Sequence, residues 1–505
     1  MAMDDRGSLP SFDLKNSFTL VNIGSKPRMA RSLAGSFTAL GSTLLLLVAL
    51  FLTPLPSFGN PNVVILLADD LGWNDVGYHD SSINSPNINK IAKEGVELNR
   101  FYVDPTCSPS RASLMTGLFA TTHGVNVPIQ WHTENGLPLE HKILPQYFKE
   151  AGYSTHLVGK WHLGHHTQAY LPNQRGFDSF YGFLGGAIGY YDHLYAGGID
   201  WQRNGVTVEE EGYSTDLLAR EAVHVIGQNP SEKPYFLLVS FNTPHTPIEG
   251  PGGKKLVHEG RKTYLEMVDS LDRAIGQVLD ALTKRGDLTN TLILFSSDNG
   301  GQEPVPFWKE WLIPPTADGF ADNGQLRGDK GTIHEGGIRV PAAIWWPNRI
   351  ESESALDQPI HIADLLPTLG QVIGFTSQDL DGESQWEALT SLEKKPRQPF
   401  IVANMGNEAM IDWPWKVARE VSLPFVPEVF AKDKYYLYNL AQDPGETNNL
   451  AASHPKVFER IAKDLQMRPR RSVIELNFSK GRSIFTRELT REPWAESVLS
   501  SKNLN

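Results

Sequence analysis

Residues 107–117 read Cys107-Ser108-Pro109-Ser110-Arg111-Ala112-Ser113-Leu114-Met115-Thr116-Gly117 and contain the single cysteine of a chain of 505 residues. A lone cysteine cannot form an intramolecular disulfide, so Cys107 either packs as a small apolar side chain or is retained for its chemistry. Packing is the commoner role for an isolated cysteine. The pattern around this one, C-x-P-S-R followed by A-S-L-x-T-G, favours the chemical role.

Three apolar stretches elsewhere in the chain, at 63–68, 234–241 and 291–296, predict buried strands. Apolar positions spaced along 261–285 predict a helix that packs on them. This alternation of strands and helical stretches indicates an α/β sandwich with a mainly parallel sheet. Each strand runs directly into polar residues, and in open α/β sheets ligands bind beyond the carboxyl ends of the strands. We therefore expect the polar clusters that follow the strands to converge on one site.

The first and third strands are followed by oxygen-bearing side chains. Asp69 and Asp70 come directly after the first strand, and Asp298 and Asn299 follow the third. Taken alone, each pair is more often a helix cap or a turn. Together they supply three carboxylates and one amide oxygen, which suits a hard divalent cation such as Ca²⁺ or Mg²⁺.

Basic side chains occupy three further stretches of the chain. His245 follows the second strand, between two prolines, and Lys330 lies in the glycine-rich stretch 326–339. Lys160 and His162 are two residues apart in the stretch 152–164. If that stretch is extended, positions i and i+2 share a face, so both side chains would point into one pocket.

These motifs together resemble the type I sulfatases, the formylglycine-dependent family of the alkaline phosphatase superfamily. Residues 107–117 are similar to the signature that marks the cysteine converted to Cα-formylglycine, and 152–164 are similar to the second signature of the family. The resemblance spans about 61–375 and continues more weakly over 437–450. Within the family, 175–178, 298–302 and 361–369 look like the arylsulfatase B (N-acetylgalactosamine-4-sulfatase) type. One departure is Asp192, which precedes His193 where related enzymes carry serine.

The resemblance implies an alkaline-phosphatase-like sandwich with a large, mostly parallel central sheet flanked by helices. It also implies a smaller C-terminal domain with a small antiparallel sheet. We expect three divisions of the chain: an N-terminal targeting segment at 1–59, the catalytic domain at 60–375, and the C-terminal subdomain at 376–505. In the last of these, 400–410 and 435–440 predict strands and 454–467 predicts a helix.

The resemblance also assigns the metal site and the nucleophile. It implies that Cys107 becomes formylglycine, whose hydrated form carries two hydroxyl groups. Asp69, Asp70, Asp298 and Asn299, together with residue 107, would hold one divalent cation, for which we expect Ca²⁺, with Mg²⁺ as the alternative.

The remaining basic residues would then complete the reaction, again as the resemblance implies. Arg111 would hold the modified side chain in place, while Lys160 and Lys330 spread positive charge over the transferring sulfuryl group. His245 and Lys330 are the candidates to neutralise the leaving oxygen. His162 would deprotonate the second hydroxyl so that sulfate is released.

The net charge of the chain bears on its binding partners, and the N-terminal sequence bears on its location in the cell. The net charge of −12 argues against nucleic acid, although a local basic pocket can still accept an anion. The apolar stretch 44–52, preceded by Arg28 and Arg31, has the length of a signal-peptide core and predicts export to the periplasm or the exterior. An uncleaved membrane anchor is the alternative. The expected partners are a sulfated small molecule or glycan and a formylglycine-generating maturation enzyme.

Two other functions are compatible with parts of the pattern. A phosphomonoester or phosphonate-ester hydrolase would share the aspartate scaffold, but such enzymes often use a second metal ion. A non-catalytic binder of sulfated glycans would keep the pocket without turnover. The intact cysteine motif, the oxygen ligands and both lysines favour sulfate ester hydrolysis over either alternative.

Overall fold

The computed structural model describes residues 60–253, 260–304, 319–421 and 433–472. The predicted targeting segment at 1–59 lies outside these residues. Within the described ranges, no helix is both long enough and apolar enough to span a lipid bilayer.

The described residues form a central ten-stranded sheet, a four-stranded sheet and two short two-stranded sheets, with a layer of helices on each face of the central sheet. In chain order the strands are β1 (Asn62–Ala68), β2 (Val96–Leu98), β3 (Phe101–Tyr102), β4 (Ser154–Lys160), β5 (Ser179–Phe183), β6 (Leu194–Tyr195), β7 (Gly198–Ile199), β8 (Gln202–Arg203), β9 (Val206–Thr207), β10 (Tyr235–Ser240), β11 (Thr291–Ser297), β12 (Ala342–Trp345), β13 (Ser354–Leu356), β14 (Ile360–His361), β15 (Phe400–Asn404), β16 (Asn407–Asp412), β17 (Trp415–Glu420) and β18 (Lys434–Asn439). The α-helices are α1 (Pro86–Glu94), α2 (Cys107–Thr116), α3 (Ala120–His123), α4 (Leu144–Glu150), α5 (Ser214–Gln228), α6 (Arg261–Arg285), α7 (Glu335–Ile338), α8 (Leu365–Ile373), α9 (Trp386–Ser391) and α10 (Pro455–Met467).

The central sheet has ten strands in the order β13-β2-β12-β11-β1-β10-β4-β5-β8-β9. The five strands β11-β1-β10-β4-β5 are parallel to one another. The strands predicted at 63–68, 234–241 and 291–296 are β1, β10 and β11, and they lie side by side. The predicted large and mostly parallel sheet is therefore confirmed.

Helices cover both faces of this sheet because its central strands are apolar on both sides. Val63, Ile65 and Leu67 of β1 pack into one cluster, which includes apolar residues of α2, α4 and α8. Val64 and Leu66 pack into the opposite cluster, which includes residues of α1, α5 and α6. The helix predicted at 261–285 is α6 and has the predicted bounds. Alternate side chains of one buried strand thus join the two helix layers to the sheet.

The second sheet is antiparallel, with the order β15-β16-β17-β18, and α10 packs against it. The small C-terminal sheet and its helix are thereby confirmed. Within 400–410 the structure divides the predicted strand into β15 and β16, which are joined through Met405 and Gly406, both at positive φ. Strand β17 was not predicted, because Trp415–Glu420 carries three charged residues and shows no alternating apolar pattern.

A glycine allows β4 and β10 to pair closely at the end that leads into the site. Gly159 of β4 has φ of +113°, and a Cβ built there would lie 1.9 Å from the carbonyl oxygen of Ser240. We expect Gly159→Ala to lower the free energy of unfolding by about 2 kcal/mol or more, because the backbone must shift and the left-handed conformation is strained. Urea unfolding followed by circular dichroism measures this change.

Gly227, an exposed glycine of α5, provides the matched control. A Cβ there meets nothing within 4 Å. Gly227→Ala should be neutral or stabilise by up to about 1 kcal/mol, since alanine is the better helix former. Equal effects of the two substitutions would contradict the packing argument.

Candidate active site

Three strand ends are tied together at the carboxyl edge of the parallel sheet. The backbone N–H of Asp69 donates to the carbonyl of Thr243, and the N–H of Asp298 donates to the carbonyl of Ala68, at 3.2 and 3.1 Å. Asp70 takes a left-handed conformation (φ +68°), and its N–H lies 3.4 Å from Asp298 Oδ1. The polar clusters that follow the strands do converge, as the sequence predicted.

Cys107 begins α2 and is buried beside the aspartates. The Cys107 sulfur and carboxylate oxygens of Asp69 and Asp298 all lie within 4.8 Å of one another. Burial raises the pKa of the Cys107 thiol, with Asp298 and Asp69 adding to that effect, and together these outweigh the opposing charges of Lys160 and Lys330. The unmodified side chain is therefore a neutral thiol and a weak nucleophile at neutral pH.

Arg111 lies one turn further along α2 and is fixed by the same cluster. Its Nε and Nη2 donate to Asp298 Oδ2 at 2.9 and 2.7 Å, and its Nη1 donates to the carbonyl of Lys160 at 3.1 Å. Nη1 also donates to Ser240 Oγ at 2.5 Å. Sequence reasoning missed Ser240, because a serine at the end of an apolar strand gives no separate signal.

Asp69 and Asp70 each accept a hydrogen bond from a different lysine. Lys160 Nζ donates to Asp69 Oδ2, and Lys330 Nζ donates to Asp70 Oδ2, both at 2.7 Å. Burial alone would lower the pKa of Lys330, but the negative groups around it, Asp70 foremost, together outweigh burial and raise the pKa above its ordinary value. Lys330 thus carries positive charge into a buried site, where Lys160 forms an ion pair with Asp69.

His245 is hydrogen-bonded to Lys330 through Nε2, and the proton of its neutral ring lies on the other ring nitrogen, Nδ1. Its Nδ1 lies 2.6 Å from the carbonyl of Thr246, which can only accept, so Nδ1 is the protonated nitrogen. Nε2 therefore accepts from Lys330 Nζ at 3.0 Å. Burial lowers the pKa of His245 to about 3, although the nearby Asp70 opposes that shift, so the ring is neutral.

The position of His162 corrects the predicted local structure. Strand β4 ends at Lys160, and His162 has φ of +56°, so the two residues do not share one face of a strand. The His162 Nε2 donates to the carbonyl of Ile129 at 2.9 Å, whereas Nδ1 is buried and has no hydrogen-bond partner in the described residues. Burial, followed by the charge of Lys160, lowers the pKa of His162 well below its ordinary value. The ring is a neutral base with a free lone pair.

Two buried oxygens of the cluster have unused acceptor capacity. Asp69 Oδ1 and Asn299 Oδ1 have no hydrogen-bond partner among the described residues. The amide nitrogen of Asn299 donates to Asp70 Oδ1 at 2.7 Å, which holds the two side chains together. Burial, with the charge of Asp298 second, raises the pKa of Asp69 to about 8. Unpartnered buried oxygens beside crowded carboxylates fit a divalent cation.

The segment that departs from the family pattern supports the His245 loop. The hydroxyl of Tyr190 donates to the carbonyls of Asn242 and His245 at 2.7 and 2.8 Å. Asp192 accepts from the N–H of Leu194 at 3.1 Å, which closes a local turn. Sequence reasoning singled out this segment for Asp192 and missed Tyr190.

The fold and the site define a class of protein. A mostly parallel sheet with a candidate metal site and a buried cysteine at its carboxyl edge has the arrangement of an α/β enzyme, in which ligands bind beyond the carboxyl ends of the strands. The family model described as Sulfatase matches residues 61–375. The chain belongs to the sulfatase family.

Individual proteins show the same similarity. Mouse arylsulfatase J is 37% identical over 358 residues, which are 68% of this chain and 58% of that protein. Human N-acetylgalactosamine-6-sulfatase is 30% identical over 455 residues, 80% of this chain and 85% of that protein. The chain thus matches less than two thirds of the length of arylsulfatase J.

Solved structures match over more of the chain. Ps i-CgsB in complex with k-i-k-neocarrahexaose has a TM-score of 0.72 and 29% identity, and covers 85% of this chain and 97% of its own. The PsFucS1 sulfatase from Pseudoalteromonas sp. has a TM-score of 0.67 and 25% identity, and the match covers 86% of this chain and 94% of that sulfatase. These matches confirm the predicted alkaline-phosphatase-like fold.

The raised pKa of Asp69 predicts a pH dependence of the metal-free protein. Because the folded state raises this pKa from 3.8 to about 8, the folded protein binds an extra proton between these values and loses stability as the pH rises. Relative to Asp69→Asn, the wild type should lose up to about 1.4 kcal/mol per pH unit in this window. Urea unfolding in chelating buffer from pH 5 to 8 measures the difference.

Asp70→Asn is the control. Burial raises the pKa of Asp70, but the charges of Lys330 and Lys160 and the hydrogen bond from Lys330 act against burial, and the pKa stays below its ordinary value. Asp70 therefore stays ionised above pH 5 in both the folded and unfolded states. Because the charge of Asp70 contributes to the raised pKa of Asp69, Asp70→Asn should show a weaker pH dependence than wild type from pH 5 to 8, but a stronger one than Asp69→Asn. If the unfolding free energies of wild type and Asp69→Asn changed equally with pH, the raised pKa of Asp69 would be contradicted.

Proposed function

We propose that this protein hydrolyses sulfate monoesters of carbohydrates, using a formylglycine made from Cys107 and one divalent cation. The observation that carries the proposal is the position of Cys107. The cysteine of the family signature lies within 4.8 Å of carboxylate oxygens of Asp69 and Asp298, in the candidate metal site. A cysteine retained only for packing would not need that position.

Asp69, Asp70, Asp298 and Asn299 are the proposed metal ligands, together with residue 107. The unpartnered oxygens of Asp69 and Asn299 support this set, and oxygen-only ligands favour Ca²⁺, with Mg²⁺ as the alternative. When bound, the cation supplies positive charge that lowers the pKa of a nearby hydroxyl and attracts sulfate oxygens.

The nucleophile would come from the matured side chain at position 107. Its hydrated aldehyde has two hydroxyl groups, of which one attacks sulfur and the other allows sulfate to leave afterwards. Arg111 is held by Asp298 through two hydrogen bonds, so it can fix the position of residue 107 one helical turn away. Lys160 and Lys330 would stabilise the negative charge of the transferring group.

Proton transfers are assigned from the hydrogen bonds of the two histidines. Lys330 carries the proton, and His245 Nε2 accepts from it, so Lys330 is the proposed donor to the leaving oxygen and His245 orients it. His162 Nδ1 is a buried lone pair without a hydrogen-bond partner in the described residues, which supports its role as the base for the second hydroxyl.

The substrate class and the maturation are part of the same proposal. The similarity to N-acetylgalactosamine-6-sulfatase and to Ps i-CgsB, solved with a neocarrahexaose, supports a sulfated glycan or its fragment as substrate. A formylglycine-generating enzyme would act on Cys107 before the chain is functional. We further propose that 1–59 directs export, and that 60–375 and 376–505 form the catalytic domain and the C-terminal subdomain.

Substitution of Cys107 tests the nucleophile. Protein matured with a formylglycine-generating enzyme should hydrolyse nitrophenyl sulfate, and Cys107→Ala should lose at least about 10³-fold in kcat/KM. Cys107→Ser should release at most one equivalent of nitrophenol and then stop, because serine lacks the second hydroxyl. Rapid-mixing absorbance and the mass of the peptide that contains residue 107 are the measurements.

The phosphate analogue and the alanine variant decide between the alternatives. Faster hydrolysis of nitrophenyl phosphate than of the sulfate would favour a phosphomonoesterase. Binding of a sulfated glycan without turnover would favour a non-catalytic binder. Full activity of matured Cys107→Ala would contradict the proposal altogether.

Removal of the cation tests the metal site. Treatment with a chelator should abolish turnover, and Ca²⁺ should restore it. Addition of Ca²⁺ at 100 times its dissociation constant should stabilise the apo protein by about 2.7 kcal/mol. Asp298→Asn should lose most of this shift. Stabilisation by neither Ca²⁺ nor Mg²⁺, measured by thermal unfolding, would refute the proposed ligands.

A further inference from the structure

Lys330 lies at the tip of a closed loop, residues 327–336, here called the lysine loop. The N–H of Gly336 donates to the carbonyl of Arg327 at 2.7 Å, which closes the loop at its base. A Cβ at Gly336 would lie 2.0 Å from the carbonyl oxygen of Gly328, so the two ends touch. The tip extends to Asp70 and His245, whereas the base lies against the C-terminal sheet.

The base of the lysine loop is bound at both ends to that sheet. Arg327 Nη1 donates to the hydroxyl of Tyr438 in β18 at 2.8 Å. At the other end, His334 Nε2 lies 2.8 Å from a carboxylate oxygen of Glu420 in β17. The base is thus held by two neighbouring strands of the second sheet.

A buried ion-pair network lies under the same base. Lys416 of β17 places its Nζ 3.2 Å from Glu335 Oε1 and 2.9 Å from Glu446 Oε1, and all three side chains have no exposed surface. The backbone N–H of Glu335 donates to Glu446 Oε2 at 2.7 Å, and the hydroxyl of Tyr102 donates to Glu335 Oε2 at 2.9 Å. Buried charges with several fixed partners resist displacement, because moving one leaves the others unpaired.

The tip is held by further bonds on either side of Lys330. Asn404 of β15 donates from Nδ2 to the carbonyl of Gly331 at 2.7 Å. The N–H of Gly331 donates to the carbonyl of Pro105 at 2.7 Å, and the N–H of Lys330 donates to the carbonyl of Gly301 at 3.1 Å. The second sheet therefore contacts the peptide group next to Lys330 as well as the loop base.

We propose that Lys416 is a positioning residue: through Glu335 and Glu446 it fixes the lysine loop and so places the Lys330 ammonium in the active site. The inference rests on the proposed function, because Lys330 acts there on the leaving oxygen. A lysine side chain has four rotatable bonds, and a backbone fixed at both the base and the tip reduces the positions that its Nζ can reach. Small displacements of such a group are costly in rate.

A double-mutant cycle tests whether Lys416 acts through Lys330. With matured enzyme and an activated nitrophenyl sulfate, Lys416→Met should lower kcat by about 10- to 100-fold. The double variant Lys330→Ala/Lys416→Met should equal Lys330→Ala within about twofold, because the positioned group is already absent. The proposal is overturned if adding Lys416→Met lowers the kcat of the Lys330→Ala enzyme by the same factor as it lowers the kcat of the wild type.

The leaving group gives an independent readout that a merely structural role would not move. Lys330→Ala should harm a sugar sulfate, which has a poor leaving group, more than the activated nitrophenyl ester. Lys416→Met should likewise lower the rate with the sugar sulfate more than the rate with the nitrophenyl ester. An equal loss for both esters would overturn the proposal.

Two further variants separate positioning from general destabilisation. Arg419→Met removes another cation of β17, which pairs with Glu408 and Asp433 rather than with the lysine loop, and should leave kcat unchanged. Asn404→Ala removes only the bond to Gly331. If Lys416→Met does not fold, Asn404→Ala takes its place in the double-mutant cycle with Lys330→Ala. Asn404→Ala should lower kcat by about threefold or more. Absence of sulfate hydrolysis in matured wild type would refute the proposed function, whereas additive losses in an active wild type refute only this inference.

Discussion

Buried charge at the edge of the sheet is the constraint on which the site depends. Asp69, Asp70 and Asp298 are almost fully inaccessible to water, and each has its own cation: Lys160, Lys330 and Arg111 respectively. With all three carboxylates ionised, the three pairs are neutral as a group. A divalent cation bound there would make the pocket positive, although the whole chain has a net charge of −12. This local reversal of sign explains how an acidic protein can bind an anionic ester.

The pairing also explains why these side chains must come from distant parts of the chain. One lysine carries a single positive charge and cannot neutralise both Asp69 and Asp70, and the two carboxylates accept from different lysines. Lys160 comes from the end of β4, Lys330 from the lysine loop and Arg111 from α2. Parallel strands bring these elements to one edge, and the left-handed backbone at Asp70 turns its side chain toward Lys330.

The sequence predicted the central strands, helix α6 and the group of site residues, because continuous apolar runs and oxygen-rich strand ends are local signals. It did not predict how the side chains pair, since a lysine 91 residues from Asp69 carries no mark of its partner. The error at His162 arose because a rule for extended backbone was applied two residues beyond Lys160, where β4 ends. Strand β17 escaped prediction for a related reason: Lys416 faces a buried ion-pair network, so the strand lacks an alternating apolar pattern.

The second sheet is continuous with the catalytic core in packing, whatever boundary is drawn near residue 376. Ile333 and Ile338, on or beside the lysine loop, share one apolar cluster with Val402 and Val417 of the second sheet. Burying Lys416 and two glutamates beneath that cluster is costly, and an apolar replacement of similar shape would often be as stable. Stability alone therefore does not account for the network. A buried charge does hold a specific geometry, because only one arrangement pairs every group, and geometry is what a lysine at the tip of a loop requires.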